Sequence, residues 1–288
     1  MLMLKPLLLC TDMDRTALPN GLQAESPAAR PAFARLCQHE RVQLCYVSGR
    51  SLDLALQAIA EYALPHPHFI IGDVGASLYR FINNAWVLDS DWQAMHEHAW
   101  RGVDSKQLAE RIGLLAPLEL QSADKQSTYK LSYQLKPASA CQASVEFLRS
   151  QLSTQQIYYT LIDSIDETKD EALIDVLPPH VNKASAIQFL AARLGLDQHS
   201  TFFAGDSGND IDALLSGVSA TLVANASAEV RQTLLQGQAA ASAGEARVYV
   251  AQGMSELPLN GHYSAGIVEG FLHYFPELIS WVAEAIHE

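Results

Sequence analysis

The sequence predicts an α/β protein with a doubly wound parallel sheet and a smaller, inserted α+β domain. At both ends of the chain, short apolar segments alternate with amphipathic helical segments, which is typical of a parallel sheet covered by helices. Between these ends, strand-like segments follow one another with few helices, which favours an antiparallel sheet. We therefore assign residues 1–83 and 178–288 to the core and residues 84–177 to the insert.

Both core regions show the alternation that this fold class requires. Short apolar runs predict strands, and longer segments with apolar side chains every three or four residues predict helices. In the first region the strands are predicted at 6–10, 42–47 and 69–71, and the helices at 28–39 and 52–62. In the last region the strands are predicted at 201–204, 220–223 and 247–251, the helices at 183–194, 210–215 and 265–274, and a small-residue loop at 237–244.

The insert has a different order of elements. A long polar helix is predicted at 92–112, a second helix at 144–151, and strands at 129–134, 157–162 and 172–177. Consecutive strands without a crossover helix favour an antiparallel sheet with helices on one face. Pro178 and Pro179 then fix two successive φ angles, which stops both helix and central strand and predicts a hinge back to the core.

Composition and charge exclude several classes of protein. The 288 residues are 49% hydrophobic, enough for a sizeable core, and their net charge of −13 disfavours a nucleic acid partner. A phosphorylated substrate would therefore need local cations or a metal ion. No apolar stretch is long enough to span a membrane, and Pro6 interrupts the short apolar run at the start. The four cysteines lack CxxC spacing, which favours reduced thiols and a cytoplasmic protein without a membrane partner.

Polar clusters follow the predicted core strands, at the sheet edge where open α/β proteins bind ligands. The first cluster is Asp12-Met13-Asp14, which follows the apolar run ending at Cys10. Two carboxylates one residue apart could divide the work of phosphoryl transfer, one attacking phosphorus and the other moving protons. A pair of solvated acids in a turn, or the metal clamp of a glycosyltransferase, has the same local pattern.

The second cluster is Ser48-Gly49-Arg50, after the second predicted strand. A hydroxyl and a freed backbone amide at a strand-to-helix turn form a small phosphate cradle. The alternative is structural, because Ser48 or Ser51 would also cap the helix that begins there.

The third signal is Lys183, in the first turn of a predicted helix. A lysine at that end opposes the helix dipole unless an anion lies beside it. The position favours a phosphate-facing role, although a lone lysine is usually a solvated surface charge.

The fourth cluster is the segment GDSGND at 205–210, which follows the predicted strand ending at Ala204. Its glycines allow a tight turn, and the oxygen donors of Asp206, Asn209 and Asp210 suit Mg²⁺ better than zinc. A polar turn that caps the following helix is the alternative interpretation.

In this order the four clusters resemble the haloacid dehalogenase superfamily of phosphatases. The segments DVGASLY (73–79), YKLSYQL (129–135), AGDSGNDIDALL (204–215) and HYSAGIVEGFLHYF (262–275) are similar to sucrose-phosphate phosphatases. The resemblance implies a Rossmann-like core with a mobile type-2 cap, and hydrolysis of a small-molecule sugar phosphate with Mg²⁺. Sucrose 6-phosphate is the favoured substrate, and mannosylfructose phosphate and glucosylglycerol phosphate are the alternatives.

The resemblance also implies roles for individual residues. Asp12 would attack phosphorus to form an aspartyl-phosphate, and Asp14 would protonate the leaving oxygen and then activate water. The residues implied at the metal are Asp12, Asp14 through its backbone carbonyl, Asp206 and Asp210, and those implied at the phosphoryl group are Thr16, Ser48, Gly49, Lys183 and Asn209. Arg50 would neutralise the phosphate, and Lys130 in the cap would contact the sugar.

Arg15 departs from the family pattern Asp-x-Asp-Gly-Thr, in which glycine is usual at this position. Its side chain would either contact the substrate or extend into solvent, and the solvated arrangement is favoured. Two other functions also stay open. A phosphomutase would reuse its phosphoryl group instead of passing it to water, and a non-catalytic module would only bind phosphate.

Overall fold

The structure is a computed structural model that describes residues 5–166, 169–240 and 248–287. In chain order its strands are β1 (Leu7–Thr11), β2 (Val42–Val47), β3 (Phe69–Gly72), β4 (Ser77–Ile82), β5 (Ala85–Leu88), β6 (Glu119–Leu120), β7 (Leu131–Leu135), β8 (Thr160–Asp166), β9 (Glu171–Leu177), β10 (Thr201–Gly205), β11 (Ser219–Leu222) and β12 (Val248–Val250). Its helices are α1 (Ala29–Cys37), α2 (Leu52–Glu61), α3 (Ser90–Ala99), α4 (Ser105–Ile112), α5 (Cys141–Ser153), α6 (Lys183–Arg193), α7 (Ile211–Leu214), α8 (Ala228–Ala240), α9 (Ser264–Tyr274) and α10 (Ile279–His287).

The larger sheet has eight strands in the order β12-β11-β10-β1-β2-β3-β4-β5. The first six are parallel, and β4 and β5 continue the sheet as an antiparallel hairpin that the sequence analysis did not predict. Because the carboxyl ends of parallel strands meet at one edge, β1, β2 and β10 bring the segments after them together. This sheet confirms the predicted parallel core.

Helices cover both faces of the larger sheet, as a doubly wound fold requires. Leu7 and Leu9 of β1 point to one face, where α1, α9 and α10 pack through side chains such as Phe33 and Phe271. Leu8 and Cys10 point to the other face, where they meet α6, α7 and α8. Every residue of β1 is buried, so the strand that precedes Asp12 lies at the centre of two apolar layers.

The smaller sheet has four antiparallel strands in the order β6-β7-β9-β8. Its own apolar core includes Trp100, Leu148 and Ile174, so the inserted α+β part of the predicted fold is also confirmed. The single helix predicted at 92–112 is wrong. Arg101 and Gly102 take positive φ angles of 53° and 74°, which end α3, and Asp104 then caps α4 with a capping box.

Two further differences concern the end of the chain. Residues 237–240 of the predicted small-residue loop lie instead in α8, and α10 was not predicted. Residues 241–247 lie outside the described residues, so the rest of that loop and the first residue of the predicted strand at 247–251 are not covered. Among the described helices, none is long and apolar enough to cross a membrane.

Candidate active site

A cavity of about 450 Å³ is lined by residues from both sheets and their connections. One wall comes from the segments that follow β1, β2 and β10. The predicted site residues on this wall are Asp12, Asp14, Gly49, Arg50, Asp206 and Asn209. Four other predicted residues, Thr16, Ser48, Lys183 and Asp210, are buried beside it. The structure therefore brings the four sequence clusters to one place.

Lys183 connects two of these clusters. Its Nζ donates to Asp12 Oδ1 at 2.7 Å and to Asp210 Oδ1 at 2.8 Å, and the whole residue is only 1% exposed. Asn182 caps α6 by accepting from the backbone N–H of Ser185, which places Lys183 in the first helical turn. The unfavourable position against the helix dipole is thus compensated by two carboxylates.

The charges in this cluster shift one another's protonation. Burial alone would lower the pKa of Lys183, but the carboxylates of Asp12 and Asp210 outweigh that effect and raise it. Burial raises the pKa of Asp12 well above its usual value, and Lys183 opposes the shift. Burial, followed by the neighbouring carboxylate of Asp210, raises the pKa of Asp206 to about 7. The cluster therefore has more negative charge than Lys183 alone can neutralise.

Three carboxylates form a compact set of oxygen ligands. One oxygen from each of Asp12, Asp206 and Asp210 lies within 4.8 Å of the others, and all three residues are buried. Asp206 Oδ1 accepts from Thr16 Oγ1 at 3.1 Å. Its Oδ2 is buried and accepts no hydrogen bond within the described part of the chain. Oxygen-only ligands and a buried carboxylate oxygen that accepts no hydrogen bond fit a hard divalent cation such as Mg²⁺.

Asp210 also folds the loop that carries Asp206. Its Oδ2 accepts from the backbone N–H groups of Asp206 and Ser207, each at 3.0 Å, and from the hydroxyl of Ser207. The loop closes so tightly that a Cβ on Gly205 would lie 2.5 Å from Asp210 Cγ, which only glycine avoids. Asn209 faces the cavity, and its Oδ1 accepts from the Ser207 hydroxyl at 3.1 Å.

Asp14 lies on the cavity wall but does not join the three-carboxylate set. Its Oδ2 accepts from Arg50 Nε at 2.8 Å, and its Oδ1 accepts from Arg50 Nη2 at 2.7 Å and from Asn20 Nδ2 at 2.8 Å. Burial would raise the pKa of Asp14, but these donors hold it below its usual value. In this arrangement Asp14 is an ionised carboxylate with both oxygens engaged.

Arg15 lies on the cavity wall, and its side chain is partly solvated. Its Nε lies 3.4 Å from Asp206 Oδ2, and the side chain is 36% exposed. Its φ of 59° lies in the left-handed region, which explains why glycine suits this position in the family pattern. Asn20 Oδ1 accepts from the Arg15 N–H, and Asn225 Nδ2 donates to the Arg15 carbonyl, so the backbone is held on both sides.

The second wall of the cavity comes from the smaller sheet and its connections. It contributes polar side chains, with Lys130 as the residue that the sequence analysis named. The others are Gln121, Lys125, Ser164, Lys169 and Asp175. Sequence reasoning missed these five because they are scattered over more than fifty positions without a shared motif. Asn20 was also missed, although its place in the turn after Asp14 was a local signal.

Comparisons with known proteins identify relatives of this chain. A family model for sucrose-6F-phosphate phosphohydrolase matches residues 5–275. A HAD-like protein of Nitrosococcus oceani is 44% identical over 280 residues, which cover 97% of this chain and 75% of that protein. Mannosylfructose-phosphate phosphatase of Agrobacterium fabrum is 28% identical over 208 residues, which cover 72% of this chain and 78% of that protein.

A solved structure extends the similarity to the fold. The sucrose-phosphatase of Synechocystis sp., in complex with sucrose and phosphate, matches with a TM-score of 0.74 at 26% sequence identity. The match covers 94% of this chain and 99% of that one. Both sheets fall inside the similarity, because it spans nearly all of each molecule.

Proposed function

This chain belongs to the sucrose-6F-phosphate phosphohydrolase family, and we propose that it hydrolyses sucrose 6-phosphate to sucrose and inorganic phosphate. Its membership confirms the family resemblance and the enzyme class predicted from the sequence, a phosphoric monoester hydrolase of the haloacid dehalogenase superfamily. The choice of sugar is supported by the sucrose and phosphate bound in the Synechocystis enzyme. Mannosylfructose phosphate is the second substrate, supported by the Agrobacterium relative.

We also propose the division into a core (1–83 and 178–288) and a cap (84–177), with one change: β5 (Ala85–Leu88) pairs with β4 in the larger sheet and belongs to the core. The smaller sheet and its apolar cluster lie within the cap range, and the segment 178–182 leads directly from β9 to α6. The cavity then lies between core and cap, where a sugar phosphate can place its phosphate against one wall and its sugar against the other.

The observation that carries the proposed chemistry is the buried contact of Lys183 with Asp12 and Asp210 beside Asp206. Catalysis of phosphoryl transfer relies on positioning and charge neutralisation, and this cluster supplies both at the edge of the cavity. A buried lysine that holds the attacking carboxylate at 2.7 Å fixes its direction and opposes its protonation.

We propose Mg²⁺ as the cofactor. Asp12, Asp206, Asp210 and the backbone carbonyl of Asp14 would hold it, and it would neutralise negative charge on the phosphoryl oxygens. The raised pKa values of Asp12 and Asp206 are compatible with this proposal, because a cation would favour the ionised form of carboxylates that burial tends to keep protonated.

The proposed reaction has two steps. In the first, an oxygen of Asp12 bonds to phosphorus while the bond from phosphorus to the sugar oxygen breaks, and Asp14 gives that oxygen a proton. In the second, water attacks phosphorus, Asp14 takes its proton, and inorganic phosphate leaves with the Asp12 carboxylate restored. Thr16, Ser48, Gly49, Lys183 and Asn209 are proposed to hold the phosphoryl oxygens.

Asp14 can act as an acid only after its pKa rises. Arg50 now holds both of its oxygens, and the phosphate of an arriving substrate is a competing partner for the same guanidinium. We propose that Arg50 transfers from Asp14 to the phosphate, which removes the main cause of the lowered pKa and lets Asp14 take up a proton.

The cap wall is proposed to recognise the sugar. A neutral disaccharide is bound through hydrogen bonds to its hydroxyl groups, and Gln121, Lys125, Ser164 and Asp175 present donors and acceptors to the cavity. Asp175 is already oriented, because its Oδ1 accepts from the hydroxyl of Ser132 at 2.5 Å. Lys130 lines the same wall, but its ammonium group contacts the core.

The proposal is tested with Asp12→Asn, which keeps the shape of the side chain and removes the charged nucleophile. Asp53→Asn is the matched control, because Asp53 is an exposed residue of α2. With Mg²⁺ and sucrose 6-phosphate, the wild type and the control should both release phosphate. The rate of release should fall at least about 10³-fold in Asp12→Asn. Undiminished release by a folded Asp12→Asn variant would contradict the role of Asp12. If the wild type preferred mannosylfructose phosphate, the proposed substrate would be wrong, but the proposed reaction at Asp12 would still hold.

A further inference from the structure

Three successive carbonyl oxygens in the turn after β2 accept hydrogen bonds from outside the turn. The N–H of Val74 donates to Ser48 O at 3.0 Å, and the N–H of Asp73 donates to Arg50 O at 2.9 Å. Between them, Gly49 O accepts from Lys130 Nζ at 2.9 Å. The donors come from two separate parts of the chain, so the turn is held by both core and cap.

Holding these carbonyls also sets the direction of the amides. In a trans peptide unit the C=O of one residue and the N–H of the next point in opposite directions. Among the described residues the cis peptide bonds are Ala116-Pro117 and Lys136-Pro137, so the units in this turn are trans. Gly49 and Arg50 line the cavity. Holding the Ser48 and Gly49 carbonyls therefore fixes the orientation of the Gly49 and Arg50 amides at the edge of the cavity, and the Arg50 N–H also donates to Ser48 Oγ at 3.2 Å.

The core donors belong to a backbone segment in an unusual conformation. Asp73, Val74 and Gly75 all have positive φ angles, of 55°, 57° and 107°. A positive φ is rare for a β-branched residue such as Val74, and such conformations persist at functional sites when the surroundings hold them. A Cβ on Gly75 would lie 2.3 Å from Asn182 O, so this turn is packed between the Ser48–Arg50 turn and the start of α6.

Lys130 is the cap donor, and its charge is neutralised in the core. The residue is 3% exposed and lies just before β7, and its Nζ is 3.5 Å from Asp73 Oδ1. The other oxygen of Asp73 accepts from the Ser77 hydroxyl at 2.7 Å, which fixes the carboxylate. Lys130 thus links the Gly49 carbonyl to Asp73. The backbone N–H groups of Asp73 and Val74 hold the two neighbouring carbonyls, those of Arg50 and Ser48.

We propose that Lys130 is a positioning residue for phosphate binding, which acts through the Gly49 carbonyl when the cap lies on the core. Asp73 assists by holding the ammonium group and supplying the neighbouring backbone donor. Phosphate affinity then depends on the position of the cap, because one of the three carbonyl contacts comes from it. This inference rests on the proposed function, and it differs from a role for Lys130 in contacting the sugar.

Binding of inorganic phosphate separates the two roles, because this ligand has no sugar. We would measure its Kd by calorimetry with Mg²⁺ for the wild type, Lys130→Met, Lys130→Gln and Asp73→Asn. Asn tolerates a positive φ, so Asp73→Asn removes the charge without changing the backbone preference. Lys106→Met is the control, since Lys106 is an exposed lysine of α4 in the cap.

The expected result is about a tenfold weaker phosphate affinity in Lys130→Met, with a smaller loss in Lys130→Gln, which keeps an N–H donor. Asp73→Asn should weaken binding in the same direction. The double variant Lys130→Met/Asp73→Asn should lose less phosphate affinity than the product of the two single losses, because both substitutions act on one contact. In Lys130→Met, KM should rise by a similar factor for sucrose 6-phosphate and for p-nitrophenyl phosphate. Lys106→Met should match the wild type in both measurements.

Unchanged phosphate affinity in folded Lys130→Met would overturn the proposal, and a KM increase confined to the sugar phosphate would make Lys130 a sugar contact. Circular dichroism checks the fold of each variant. If Lys130→Met does not fold, Lys130→Gln decides by the same criterion. Absence of phosphate release by the wild type would count against the proposed function alone, because the calorimetric measurement needs no turnover.

Discussion

The two walls of the cavity hold their polar groups in different ways. On the core wall, Lys183 and Asp12 are buried, and the lysine is fixed between two carboxylates. On the cap wall, Lys125, Ser164 and Asp175 are only partly buried. Groups that react with the phosphoryl unit must be arranged before the substrate arrives, whereas groups that contact the sugar must stay accessible to it. A substitution should therefore damage fold and chemistry on the core wall, and mainly substrate preference at the partly buried residues of the cap wall. Lys130 is the exception, because it is buried and its ammonium group contacts the core.

The largest effect is expected from Lys183→Met on the core wall. Removing one partner of a buried ion pair leaves Asp12 and Asp210 without their cation, which costs about 3–5 kcal/mol of unfolding free energy. Chemical denaturation measures this loss at neutral pH without metal, and Lys106→Met should change stability by less than about 0.5 kcal/mol. A loss below 1 kcal/mol for Lys183→Met would contradict the importance of the buried cluster.

A second effect concerns pH. The pKa of Asp206 is about 7 in the folded protein, which is above the pKa of an aspartate in the unfolded chain. At pH values between these two pKa values, the folded protein therefore binds one proton more than the unfolded chain. The contribution of Asp206 to the free energy of unfolding is fully present below about pH 4 and is lost as the pH rises through 7. The loss amounts to up to about 1.4 kcal/mol per pH unit.

Denaturation of metal-free protein across this range should show that decline, and Asp206→Asn should reduce it. Adding Mg²⁺ should also reduce the decline, because a bound cation stabilises the ionised carboxylate. A pH dependence that is the same in Asp206→Asn and the wild type would count against this assignment.

A smaller effect separates two glycines of one loop. Gly205→Ala places a Cβ 2.5 Å from Asp210 Cγ, whereas nothing lies within 4 Å of a Cβ on Gly208. Displacement of Asp210 should cost about 1–3 kcal/mol of stability and weaken Mg²⁺ binding measured by calorimetry about tenfold. Gly208→Ala is the matched control and should bind Mg²⁺ like the wild type. Equal behaviour of the two variants would show that the close packing of Gly205 is unimportant.

The smallest effect is expected on the cap wall. Lys125→Ala removes a partly buried donor from the cavity, and its KM for sucrose 6-phosphate should rise about three- to tenfold. Inorganic phosphate affinity and stability should stay unchanged, since Lys125 is on the sugar side. If Lys125→Ala weakens inorganic phosphate as much as the sugar phosphate, the separation of the two walls does not hold.

Most of the core could be predicted from the sequence because its signals are local. Apolar runs such as 42–47 mark buried parallel strands, and polar residues directly after them are placed at one sheet edge by the fold itself. The hairpin of β4 and β5 was missed because its exposed face carries apolar side chains such as Val87, which obscures the alternation of a half-buried strand. The break between α3 and α4 depends on a positive φ at Arg101, a residue that usually continues a helix.

The site could be predicted only as far as its motifs reach. Asp12, Lys183 and Asp206 belong to short segments with recognisable spacing, and the structure brings them together. The contact between Lys130 and Gly49 joins residues 81 positions apart, and no pattern in either segment indicates it. The backbone of Arg15 is held by two asparagines, one of them 210 positions away, so the position of Arg15 depends on a contact that its neighbours in sequence do not indicate.

The central claim is that Asp12 carries the phosphoryl group during turnover. It is tested most directly by rapid acid quench of Asp14→Asn with p-nitrophenyl phosphate and Mg²⁺, followed by proteolysis and mass spectrometry. Because p-nitrophenolate leaves without needing a proton, the loss of Asp14 should slow the second step more than the first, so the peptide containing Asp12 should gain the mass of one phosphoryl group. Phosphate release by the wild type, with no phosphorylated Asp12 peptide at any quench time in either protein, would contradict the account.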